Sequence, residues 1–344
     1  MARKRFDQAG ATLDQFFTSD HAMQGCLDRA RMAAKTDLPI LILGESGVGK
    51  TILARGIHNS SDRRDGPFVS FNAAALSETL LDSQLFGHER GAFTGAQHRV
   101  KGKFELADTG TLFLDEVGDL TPTAQSKILR AVETGEYERL GSETLQRADV
   151  RLISATHYRI DPAADKGRFR EDLFFRISGI TITVPPLRER PNDLPLLVAN
   201  EVARAAESNG KTIVGLDRAA ADRLLAYRWP GNLRELSSVI HAAVALAKGE
   251  VVGEDVLLLL DEMPASGGRT EVRPYDHPTS LGPTEVRPSD QERSDRLLRD
   301  AVHRHIARVL ADVGGNKRRA ARELGVSRAT LDRKLRETQR ADRR

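Results

Sequence analysis

Gly44-Glu45-Ser46-Gly47-Val48-Gly49-Lys50-Thr51 is the stretch on which the reading of this chain turns. It satisfies G-x-x-x-x-G-K-[ST] at every fixed position. An apolar run, Leu38-Pro39-Ile40-Leu41-Ile42-Leu43, precedes it and has the character of a buried strand, and Ile52-Leu53-Ala54-Arg55-Gly56-Ile57 after it reads as the start of a helix. Strand, loop and helix in that order make a phosphate loop rather than a chance Gly-rich turn. The glycines let backbone N–H groups converge on phosphate oxygens with no Cβ in the way. The helix N-terminus adds partial positive charge at the same point. Lys50 is placed to reach the β- and γ-phosphates, and Thr51 to offer its hydroxyl to Mg²⁺. The expectation is a nucleoside triphosphate site.

Outward from the loop, apolar runs alternate with helical patterns. Strands are expected at 38–43, 68–71, 111–114, 150–155 and 180–184, with helices between them. The helix at 121–134 opens on Thr121 as N-cap with Pro122 at its first position. Such alternation implies an α/β fold with a parallel, five-stranded sheet covered on both faces, and a nucleotide at the carboxyl ends of the strands. After Pro185-Pro186 the strand signal stops, and 194–208, 217–227, 232–247 and 254–262 read as helices of a separate small domain. Residues 264–292 carry Pro, Gly, Ser, Thr and charge without periodicity. There Thr270-Glu271-Val272-Arg273-Pro274 recurs as Thr284-Glu285-Val286-Arg287-Pro288. That composition predicts a flexible tether.

Thr111-Leu112-Phe113-Leu114-Asp115-Glu116 is an apolar strand ending in two acids. Opposite a phosphate loop, Asp115 serves Mg²⁺ and Glu116 polarises the attacking water. Thr156 ends the strand at 150–155, where it can sense the γ-phosphate. Asn72 ends the strand at 68–71, a position that also suits an ordinary turn residue. Arg168, Arg170 and Arg176 crowd one short segment, and arginine is the usual partner for transition-state phosphoryl charge. Arg234, in Trp229-Pro230-Gly231-Asn232-Leu233-Arg234, opens a helix of the small domain.

Between the phosphate loop and the paired acids lies Leu85-Phe86-Gly87-His88-Glu89-Arg90-Gly91-Ala92-Phe93-Thr94-Gly95-Ala96. A Gly-Ala hexamer with one aromatic and one hydroxyl is a mobile, exposed loop on its composition. Together with the motifs above, its last six residues resemble the GAFTGA signature of the AAA+ ATPases that activate sigma-54-dependent transcription in bacteria. The resemblance spans about residues 18–262 and resumes near the C-terminus.

It implies an AAA+ core at 18–190 after a lead-in at 1–17, a helical lid at 191–262, a linker at 263–291 and a DNA-binding domain at 292–344. The nucleotide it implies is ATP with Mg²⁺. Gly91, Ala92, Phe93, Thr94, Gly95 and Ala96 would touch sigma-54. Lys50, Asp115 and Glu116 would be catalytic, with Asn72 switching Glu116. Thr156 and Arg234 would be sensors, and Arg170 and Arg176 fingers reaching a neighbouring subunit's site. Thr51 and Gln84 depart from residues usual in the family, without prejudice to hydrolysis.

The C-terminus is a basic module. From Asn316 onward there are eleven Lys/Arg against four Asp/Glu, while the rest of the chain is slightly acidic. Ala320, Ala321, Leu324, Val326, Leu331 and Leu335 supply a small core, Gly325 a helix C-cap and Ser327 the N-cap of a second helix. This predicts a helix-turn-helix for double-stranded DNA, with Lys317, Arg318, Arg319, Ser327, Arg328, Thr330, Arg333 and Lys334 at the interface. It resembles the Fis-type module of the same family, in which the preceding helix helps dimerisation.

The composition fits this picture. Hydrophobic residues make up 40% and charged residues 29% of 344, as in a globular protein. Cys26 is the one cysteine, so no internal disulfide forms, in keeping with a reducing bacterial cytoplasm. No apolar run approaches the ~20 residues of a membrane span, and the basic N-terminus has no secretory h-region. Little chain precedes Gly44, so control is expected from a partner protein in trans or from expression level rather than a receiver in cis.

The combined reading is an ATP-driven activator of the sigma-54 RNA polymerase holoenzyme. It is bound to upstream enhancer DNA, assembles from dimer to hexamer, is cytoplasmic and associates with the nucleoid when on DNA. Two other classes fit parts of the sequence. A regulator of ordinary promoters using nucleotide only to oligomerise would lack an intact hexamer. A remodeller of the chelatase or helicase-loader kind would lack the basic tail.

Overall fold

The computed structural model describes residues 10–16, 18–74, 77–158, 160, 168–253 and 317. The chain divides into two compact units, 1–192 and 193–344. The helix expected at 254–262, the tether and the helix-turn-helix lie outside the described residues, Lys317 excepted.

In the first unit, five parallel strands form one sheet: β1 (Ile40–Leu43), β2 (Phe68–Asn72), β3 (Thr111–Asp115), β4 (Arg151–Thr156) and β5 (Ile180–Thr183), in the order 2-3-4-1-5. The register sets Leu43 beside Thr156 and Asn72 beside Asp115, so the polar strand ends gather at one edge. Pro39 stays outside β1, where its missing N–H would have broken the ladder.

Alternation puts successive side chains on opposite faces. Leu41, Leu112, Leu114 and Leu152 pack on one face against α3 (Glu78–Phe86), α4 (Pro122–Thr134) and α5 (Glu171–Ile177). Ile40, Ile42, Phe113, Ile153 and Ile182 pack on the other against α1 (His21–Ala34) and α2 (Lys50–Asn59). Each fully buried Ile or Phe contributes about 2–3 kcal/mol. The α4 N-terminus forms as expected: Thr121 Oγ1 accepts from Ala124 N–H at 3.3 Å, and Gly135 at φ 72° ends the helix.

The second unit contains α6 (Leu194–Asn209), α7 (Arg218–Ala226) and α8 (Asn232–Leu246). Asp217 caps α7 through Ala220 N–H at 2.7 Å. Trp229, 1% exposed, donates its indole N–H to Leu224 O at 3.0 Å. One feature departs from the all-helical expectation: Gly215–Leu216 pairs in parallel with Val251–Val252. Two-residue strands are too short to show a period of two, so periodicity passes over them.

Candidate functional site

The phosphate loop leaves β1 and enters α2 through Gly47 and Gly49, which take φ of 80° and 102°. That left-handed backbone is open to glycine at no cost and aims consecutive N–H groups at one point. Lys50 opens α2 with its side chain 6% exposed, and its ammonium donates to Gly44 O at 2.8 Å and Glu45 O at 3.3 Å. Glu45 is held from outside, its carboxylate accepting from both Arg188 guanidinium NH₂ groups at 2.6 and 2.7 Å. Val48 is buried and Thr51 is exposed in the first turn of α2.

The acids lie across from the lysine. Lys50 Nζ is 3.8 Å from Glu116 Oε1. Glu116 stands at φ 55°, a left-handed position that costs a non-glycine residue about 1 kcal/mol or more. It is retained there by His157, whose Nδ1 lies 2.6 Å from Glu116 Oε2 and whose backbone N–H donates to the same oxygen at 3.3 Å. Burial pushes the Glu116 carboxyl up, but the His157 bond and the Lys50 ammonium outweigh it and hold it below the usual range. The carboxylate is therefore ionised near neutral pH, as a group that polarises water needs to be. Thr51 hydroxyl and Asp115 carboxylate are hard oxygen donors of the kind Mg²⁺ takes alongside nucleotide phosphates, and the glycine cradle with its lysine fits those phosphates.

The strand-end residues take different roles. Thr156 is fully buried beside the loop; its carbonyl accepts from Gly44 N–H at 3.3 Å and its Oγ1 from Tyr158 N–H at 3.1 Å. Asn72 stands next to Asp115, but its side-chain oxygen accepts from Ala74 N–H at 2.8 Å in a local turn. The side chain that grips Glu116 is His157, which reasoning from sequence passes over. The only signal is a histidine directly after a strand-end threonine, and spacing does not say what it touches.

Arg170 and Arg176 are exposed on and beside α5. Arg170 makes two bonds to the Asp172 carboxylate, at 3.0 and 2.6 Å, and one to Ser126 Oγ at 3.1 Å. Arg176 donates to Val132 O at 3.2 Å. Among the described residues neither bonds to the phosphate loop of its own subunit. Arg168 lies over the Tyr158 ring at 5.4 Å, and that ring lies 3.7 Å from His157. In the second unit Arg234 is exposed in the first turn of α8, where Glu235 accepts from Gly231 N–H at 2.7 Å. Of the DNA-contact candidates only Lys317 is among the described residues.

The hexamer at 91–96 occupies the tip of an excursion between α3 and the one-turn helix Lys103–Leu106. Its base is an antiparallel pair, Gly87 with Lys101 and His88 with Val100. Gly91 N–H donates to Ala96 O at 2.9 Å, closing the tip, and Phe93 packs edge-on against His88 at 5.0 Å. Thr94 is exposed. Arg139, 7% exposed, spans the base with bonds to Glu89 at 3.1 Å and Glu105 at 2.8 Å.

Comparison with known proteins agrees with this geometry. Residues 16–183 match the sigma-54 interaction domain, 188–266 the AAA+ ATPase lid domain and 298–337 the bacterial regulatory protein, Fis family. The chain is 43% identical over 317 residues to the transcriptional regulatory protein ZraR of Salmonella typhimurium, covering 92% of this chain and 67% of that one. It is 42% identical to the DNA-binding transcriptional regulator NtrC of Azospirillum brasilense, covering 88% of this chain and 65% of that one. The fold matches NtrX from Brucella abortus, solved in complex with ADP, at TM-score 0.65 and 32% identity, over 96% of this chain and 70% of that one. The chain spans about two thirds of the length of the curated relatives it matches.

Proposed function

Because the chain belongs to the family of sigma-54 activators, with its sigma-54 interaction domain, AAA+ lid and Fis-type module, we propose that it hydrolyses ATP to remodel the sigma-54 RNA polymerase holoenzyme while bound to upstream DNA. Lys50 and the loop N–H groups hold the phosphates, Glu116 accepts the proton of the attacking water, and Thr156 reads the γ-phosphate end. Mg²⁺, held by Thr51 and Asp115, would neutralise charge on the phosphates. Arg170 and Arg176 complete a neighbour's site, which makes a ring, a hexamer by family likeness, the working form. Arg234 serves as a second sensor and Asn72 as a switch for Glu116.

The observation that carries this reading is the complete hexamer at 91–96, with Gly91, Thr94 and Gly95 exposed at the tip of a base braced by Arg139. A loop built that way transmits movement of its base to whatever its tip touches. Thr94→Ala is the test. ATP hydrolysis should stay within about twofold, since Thr94 lies outside the nucleotide site, while open-complex formation at a sigma-54 promoter is lost. Normal open complexes from that variant would sink the assignment.

A further inference from the structure

Gln125, on α4, is fully buried, and its amide is fully used. Nε2 donates to Leu120 O and to Arg168 O, each at 2.9 Å, and Oε1 accepts from Arg170 N–H at 2.8 Å. Two donor hydrogens and a carbonyl oxygen meet three backbone partners, which a primary amide in this orientation can satisfy and a carboxylate cannot. The partners come from two functional segments. Leu120 closes the turn Val117–Asp119 that directly follows Glu116. Arg168 and Arg170 flank Phe169, which is 5% exposed and packs in the core. The next residue, Ser126, receives the Arg170 guanidinium at 3.1 Å. Adjacent residues of α4 therefore hold the backbone and the tip of the same arginine.

We propose that Gln125 is the positioning residue for Arg170, tying the finger's backbone to the segment that follows Glu116. This rests on the reading of Arg170 as a finger acting in trans. An arginine side chain reaches far through several rotatable bonds, so the place its guanidinium can occupy is set by where its backbone is anchored. Arg170 is the N-cap of α5, and its own backbone N–H is donated to the Gln125 amide oxygen at 2.8 Å.

The test uses Gln125→Glu, which keeps the shape but sets a carboxylate oxygen against two carbonyl oxygens, and Gln125→Met, which keeps the length and removes all three bonds. Each should lower kcat by about 10²-fold, the cost of a misplacement near 1 Å, with the affinity for a fluorescent ATP analogue unchanged. Each is then mixed in equal amounts with Glu116→Gln, which lacks the acid but keeps its finger. Mixed rings pair an intact site with an intact finger, so activity should rise about tenfold above either variant alone.

Arg170→Ala mixed with Glu116→Gln is the reference. If the reference pair fails to recover, the finger reading falls and this inference with it. If the reference recovers and the Gln125 mixtures do not, the role given to Gln125 is wrong. Loss of nucleotide affinity in step with kcat in both Gln125 variants also overturns it, because the amide then merely supports the fold.

Discussion

The phosphate loop at 44–51 and the hexamer at 91–96 are both short and punctuated by glycine, and both hold glycines at positive φ. Their surroundings differ. A Cβ on Gly44 would come within 3.0 Å of Val184 O and 3.1 Å of the Val48 side chain, so the first loop is enclosed by its own fold. Gly91 and Gly95 have nothing within 4 Å of such a Cβ. Crowding returns at the foot of the excursion, where a Cβ on Gly102 would lie 2.3 Å from the Phe86 carbonyl carbon and 2.5 Å from Gly87 N. The first loop is crowded where it begins. The second excursion is crowded at its foot, while its tip has open space at Gly91 and Gly95 and meets the rest of the fold through Ala92 beside Gly141 and Phe93 on His88.

Four substitutions probe that difference. The largest effect belongs to Lys50→Ala, which removes the ammonium from the enclosed loop. Phosphate release should fall by ~10² or more, as for loss of a charge-stabilising donor, while filter retention of upstream DNA by the tail stays as in the wild type. Gly102→Ala comes next. Its clash is with backbone, so the base must open, at about 3 kcal/mol in urea unfolding.

Arg139→Met removes a 7%-exposed guanidinium shared by Glu89 and Glu105 and should cost about 1–3 kcal/mol. Its signature is in the pH dependence. Burial raises the Glu105 carboxyl, but Arg139 and Lys101 outweigh it and hold it below its ordinary value of 4.5. A depressed carboxyl adds stability above the unfolded-state value and loses it as pH falls through the folded-state value. Unfolding midpoints taken below pH 4.5 should therefore drop less steeply with acid in Arg139→Met than in the wild type.

Gly95→Ala is the smallest change. Only the strain of φ 105° opposes it, about 1 kcal/mol, and ATPase should be unchanged. Equal destabilisation by Gly95→Ala and Gly102→Ala in the same urea titration would remove the distinction between tip and base.

Much of this was legible in the sequence, because it is local. The phosphate loop, the acids after an apolar strand, the capped helix at Pro122–Thr134 and the hexamer each declare themselves within about a dozen residues. What stayed hidden joins distant segments. His157 grips Glu116 from 41 residues away, Arg139 reaches Glu89 across 50, and Gln125 holds Arg170 across 45. Arg170 was readable as a cation suited to phosphate, but not its pairing with Asp172 and Ser126. Asn72 shows the converse. As a strand-end residue its turn bond to Ala74 was within reach of the sequence, whereas any switching role depends on what stands nearby.

The sequence by itself determined the kind of chemistry, because a phosphate cradle, a strand ending in acids and a basic C-terminal module each need particular residues at short fixed spacing. Only the tertiary structure decided which side chain holds the Glu116 carboxylate, what anchors the backbone of Arg170 and which glycines are crowded. Those depend on the order of strands in the sheet and on how helices lie across it. Parallel strands bring together chain segments whose separation carries no sequence signal.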